Sequence, residues 1–170
     1  YAWRRDVVIV FLVALAREGL AHASSIAGVP CGMAAAKPKT LLAIYLAVFL
    51  TLLLLDMVWL LGIARDWYQQ GMGHLMAPQP RLGPAALFYL GYPVGVVLFA
   101  VAPGPARKPA RAAIWGGLFG LFCYGTYDLT NLAVLQGWPA GLAALDMAWG
   151  GAVTAFAAAA GAVVARRLNG

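Results

Sequence analysis

Four long apolar runs, separated by short polar stretches rich in proline and glycine, set the plan of this chain. The first goes from Thr40 to about Ala64 and contains a single charge, Asp56. The second, Pro84 to Ala102, contains none. The third, about Ala112 to Leu135, contains Asp128, and the fourth, Ala140 to Ala165, contains Asp146. Each run is close to the roughly 20 residues that a helix needs to cross a bilayer core. Lys37-Pro38-Lys39, the Pro-, Gly- and Gln-rich loop 69–84, Pro103-Gly104-Pro105 and Gly137-Trp138-Pro139 bound the runs, and all of them break helices. The pattern predicts an all-α fold, an integral membrane bundle of four transmembrane helices within residues 33–170 (spans about 40–64, 84–102, 112–135 and 140–165).

Composition agrees with the pattern. Of 170 residues, 63% are apolar and 11% charged, against the roughly 25% charge of a soluble domain. Too few charges remain to coat a water-exposed surface. A soluble enzyme, a disulfide-rich secreted module and a disordered tail are excluded. The net charge of +6 does not point to nucleic acid, because Lys and Arg stand at span ends rather than along one face. Lys37 and Lys39 precede the first span, Arg107, Lys108 and Arg111 join the second to the third, and Arg166 and Arg167 follow the fourth. All seven fall on one side, which the positive-inside rule assigns to the cytoplasm. Both ends of the four-span unit are therefore expected on the cytoplasmic side of the membrane.

Residues 1–32 are read separately. Arg4-Arg5 and the apolar stretch Val7–Ala16 resemble the start of a signal peptide, but Arg17-Glu18 interrupts a stretch too short to span. Met33 is the expected natural start, with residues 1–32 as an upstream extension; the alternative is an interfacial or fifth, N-terminal helix. Cys31 and Cys123 are the only cysteines, and Cys123 reads as a small buried hydrophobe. His22 and His74 are far apart, no Cys/His spacing suits a metal, and no phosphate loop or nucleophile elbow is present. Gly91-x-x-x-Gly95 and Gly116-x-x-x-Gly120 suit close packing of helices, within the chain or against a homo-oligomeric or membrane-complex partner.

Half of the six acidic residues lie inside spans. A carboxylate in hydrocarbon costs at least ~2.5–3.5 kcal/mol on insertion scales. Counted from the cytoplasmic ends at about 1.5 Å per residue, Asp56 and Asp128 lie roughly 24 Å deep and Asp146 roughly 28 Å. All three fall in the outer third of a core about 30 Å thick and can converge on one site. Trp59 and Trp149 stand three residues after Asp56 and Asp146, while Tyr124 and Asn131 share the face of Asp128. Tyr89, Tyr92 and Tyr127 form the periphery. Indole, phenol and amide groups all donate to carboxylates, and no Lys or Arg within a span neutralises them. The bland alternative makes each Asp a structural hydrogen-bonding group between helices.

These residues carry a resemblance. Leu55-Asp56-Met57-Val58-Trp59 with Gly62, then Phe119-x-x-Phe122-x-Tyr124-x-x-Tyr127-Asp128-Leu129-Thr130-Asn131-Leu132, then Trp138-Pro139 and Asp146-x-x-Trp149-Gly150, resemble the bacterial predicted membrane proteins of domain-of-unknown-function family 2177. The resemblance covers about residues 39–168 and implies a four-helix integral membrane protein with no assigned activity. The family's genes often stand near those for cyclopropane-type fatty-acid modification, which implies a connection with lipids.

Four functions compete. The chain binds or handles a lipid or other amphiphile at an outer-leaflet site of Asp56, Asp128 and Asp146; it is a structural or accessory subunit of a larger complex; it is a proton- or cation-coupled transporter; or, ranked last, it is an enzyme. Membrane lipids are the expected partners, no nucleic acid and no metal is expected, and nothing in the sequence names a cofactor.

Overall fold

Every fourth residue on the first helix faces inward, and the row ends on an aspartate. This helix, α1, runs over Pro38–Val58 and continues through one wider π-helical turn, Trp59–Ile63. Its buried row is Thr40, Ile44, Val48, Leu52 and Asp56, while Leu42, Leu46, Leu50, Leu54 and Val58 are exposed. Both faces are apolar, as expected of a helix set between a protein core and lipid. The same spacing recurs twice. On α4 (Pro109–Val134) the inward row is Ala112, Gly116, Gly120, Tyr124 and Asp128, and on α5 (Ala140–Asn169) it is Asp146, Gly150, Thr154, Ala158 and Ala162. Such four-residue ridges let helices interdigitate.

The computed structural model describes residues 37–102 and 108–169. The expectations for residues 1–32, for Arg107 and for the Pro103-Gly104-Pro105 break lie outside them. The remaining elements are α2 (Arg65–Met72) and α3 (Leu82–Val96, with a π-helical turn at Val97–Val101). No strand occurs among the described residues. Pro93 lies inside α3, where it removes one backbone donor.

Helix α4 packs along α5, and α5 also packs on α1. Glycines make the first contact possible. A Cβ on Gly120 would stand 2.2 Å from the Gly150 carbonyl oxygen, one on Gly116 would stand 2.6 Å from the Ala158 Cβ, and one on Gly150 would strike the Tyr124 ring. The Gly116/Gly120 face is thus filled by this chain's own α5. Gly95 packs on Phe119, whereas nothing lies within 4 Å of a Cβ on Gly91. Between spans in a bilayer the hydrophobic effect adds little, so close packing and polar bonds must hold helices together. The hydroxyls of Tyr92 and Thr154 supply one such bond at 2.8 Å, and Tyr45 donates to the Leu90 carbonyl at 3.0 Å.

Three helices are long and apolar enough to cross a membrane: Pro38–Ile63, Leu82–Val101 and Ala140–Leu168. Four spans are expected from the sequence, and the expected third is the one this count leaves out. Its helix forms and is 26 residues long, but it does not reach the same apolarity. Gly116, Gly117, Gly120, Gly125, Thr126, Thr130, Asp128 and Asn131 dilute it, and several of them are the residues that face α5. The second correction concerns the loop expected at 69–84. Helix α2 occupies its first residues, and α3 begins at Leu82 rather than Pro84.

Candidate functional site

The helix ends sort into two kinds. At one end stand Lys37 and Lys39, Lys108 and Arg111, and Arg166 and Arg167. The other end holds the three aspartates. Asp56 lies seven residues before Ile63, Asp128 six before Val134 and Asp146 six after Ala140, so each is roughly 10 Å from its helix end. There the five helices line a partly open cavity of about 410 Å³, and all three aspartates border it.

Asp56 is 4% exposed and fully partnered. The Trp149 indole N–H donates to its Oδ1 at 2.8 Å, and the Tyr89 hydroxyl donates to its Oδ2 at 2.9 Å. Trp149 in turn stacks on Trp59, with ring centroids 4.3 Å apart and planes within 6°. Asp146 accepts from the Tyr68 hydroxyl. Burial, with Asp146 as the next cause, pushes the Tyr68 phenol above its ordinary pKa and keeps it a donor.

Asp128 is different. It is 2% exposed and lies beside Asp146, yet its Oδ2 has no hydrogen-bond partner. The indole N–H groups of Trp59 and Trp138, which line the same cavity, are also buried without partners. Buried polar atoms are normally satisfied. Trp138 stands beside Asp128 and Trp59 beside Tyr68, so these unsatisfied groups gather around one space.

Of the residues singled out in the sequence, Asp56, Trp59, Tyr124, Asp128, Asp146 and Trp149 line the cavity, as do Tyr89, Tyr92 and Tyr127. Asn131 does not; it lies one turn beyond Asp128 towards the end of α4, half-buried. Tyr68 and Trp138 line it without having been singled out. Trp138 had a signal, since Gly137 beside it adopts φ +79°. Glycine takes that conformation freely, and it reverses the chain between α4 and α5 where Trp138 meets Tyr127 edge-on at 5.6 Å. Tyr68 had less: it sits on a short helix in a polar stretch after the first span. Cys123, Phe88 and Met72 complete the apolar wall.

The chemistry of this chamber is narrow. Aromatic rings and carboxyl groups dominate its lining, and no Lys, Arg or His among the described residues belongs to it. Among the described residues no three His, Cys, Asp or Glu side chains come together as a metal site would require. Asp128 and Asp146 lie side by side, and Asp56 does not join them as a third ligand.

Apolar helices, inward polar groups and close glycine contacts define a helical membrane protein. The family described as predicted membrane protein (DUF2177) matches residues 41–163, and the chain belongs to it. No curated protein matches, and no solved structure does.

Proposed function

We propose that this protein binds or handles the polar head of a lipid or other amphiphile in the aspartate cavity. The carrying observation is the buried Asp128 carboxyl, whose Oδ2 has no hydrogen-bond partner, on a largely aromatic space near one end of the bundle. An aromatic wall accepts the apolar part of an amphiphile, and the buried carboxyl and indole groups fix its polar part.

In this reading all four long helices cross the cytoplasmic membrane of a bacterium, α4 shielded along its glycine face by α5. The basic end faces the cytoplasm and the cavity lies in the outer leaflet. Lys37 and Lys108 occupy the N-caps of α1 and α4, where a positive charge opposes the helix dipole by about 0.3–1 kcal/mol. Their placement serves the membrane orientation rather than helix stability. One observation favours a second role as a subunit of a larger complex: the open space over Gly91 on α3 suits the approach of another helix.

The test is mass spectrometry of the protein purified in a mild detergent. One amphiphile class should be retained at near-equal molar ratio by the wild type and lost from Ala143→Phe, which fills the cavity. Retention of the same lipids by both proteins would overturn the proposal.

A further inference from the structure

The charge and wall chemistry of the cavity specify its occupant further, and this step rests on the amphiphile-binding reading above. Three carboxyl groups line a space that no Lys, Arg or His among the described residues enters. Asp128 and Asp146 lie side by side. Two buried carboxyl groups so close cannot both carry charge unless a cation joins them, and Asp128 keeps one oxygen with no partner. A cation in the cavity resolves that. A compact metal ion is a poor match, because the three carboxyl groups do not come together as ligands. A larger cation that touches them through its periphery is a better one.

The wall points the same way. Trp59, Trp138, Trp149, Tyr89, Tyr92 and Tyr124 present rings to the cavity, and the faces of such rings attract cations, most strongly when water is excluded. Cages of this kind hold substituted ammonium groups. The indole N–H groups of Trp59 and Trp138, beside Tyr68 and Asp128, complete no hydrogen bond there and can only donate, a need that an oxygen on the occupant meets. We infer that the aspartate cavity of this protein takes a substituted ammonium group with an oxygen close to it, the chemistry shared by an aminoalcohol lipid head and a free aminoalcohol.

The protein itself supplies the probe, because Trp59, Trp138 and Trp149 line the cavity. Their fluorescence is titrated, in a neutral maltoside detergent, with choline and with choline's uncharged carbon isostere, which has the same hydroxyl and nearly the same shape. Choline should quench saturably and bind at least ~10-fold more tightly than the isostere, a difference of about 1.4 kcal/mol. Asp128→Asn should remove that preference. The wild-type comparison stands even if the variant does not fold. Dodecyltrimethylammonium binding at least ~10-fold more tightly than choline assigns the site to a lipid head; equal affinities assign it to a free ammonium compound. Equal binding of choline and the isostere would overturn the inference. If dodecanol then still quenches saturably, the amphiphile-binding reading survives that loss; if neither dodecanol nor dodecyltrimethylammonium binds, both readings fall.

Discussion

Trp59 and Trp149, on the first and last long helices, stack with ring centroids 4.3 Å apart, and Trp149 also donates its N–H to Asp56, three residues before Trp59. One aromatic pair thus fixes both the carboxyl group and the wall beside it. Trp149→Phe keeps a ring in the stack and removes the donor. It should cost about 1–3 kcal/mol, because a buried carboxyl oxygen loses its partner. In an Asp56→Asn background the same change should cost less than the sum of the two. Thermal unfolding of the detergent-purified variants checks this; additive losses would separate the two residues.

Glycine contacts between α4 and α5 should be the least tolerant part of the bundle. Gly120→Ala puts a methyl group against the Gly150 carbonyl and should lower stability by more than about 2 kcal/mol, as overpacking does. Gly91→Ala meets nothing within 4 Å and should be neutral or stabilising by up to about 1 kcal/mol. The yield and melting temperature of monodisperse protein measure both.

Orientation is open to cysteine labelling in intact cells, with Cys31 and Cys123 replaced by serine. A cysteine at Gln79, exposed at the cavity end, should react with an impermeant reagent from outside, and one at Lys108 only after the membrane is opened. The reverse pattern would move the cavity to the inner leaflet.

The helices and the depth of the aspartates were legible in the sequence because an ionisable residue inside an apolar run is conspicuous. The shared four-residue rows emerged only with the fold, although Gly116 and Gly120 lead by the same step to Tyr124 and Asp128. Two things were hidden. Tyr68 reaches Asp146 from a helix outside the spans, a long-range contact that local pattern does not encode. Asn131 has the right angular position beside Asp128 but lies beyond the cavity, because spacing fixes a helix face and not where a cavity stops. The third span falls short of the apolarity of the other three for a related reason: the polar and small residues of α4 that weaken its membrane signal serve its contacts with α5 and the cavity.

The aspartates should act as charges rather than as shape. Asp128→Asn preserves volume and can still hydrogen-bond, so it should insert and fold normally while failing to complement a deletion strain. Asp56→Asn and Asp146→Asn should give similar, non-additive losses. Full complementation by all three single variants would reduce the aspartates to structural groups.

The most direct measurement is an experimental structure of the protein in a lipid nanodisc made from its own membrane lipids. The account predicts density for an amphiphile whose polar head lies between Asp56, Asp128 and Asp146 and meets the indole nitrogens of Trp59 and Trp138. A cavity closed by those side chains pairing with one another, with Asp128 satisfied from within the protein, would contradict it.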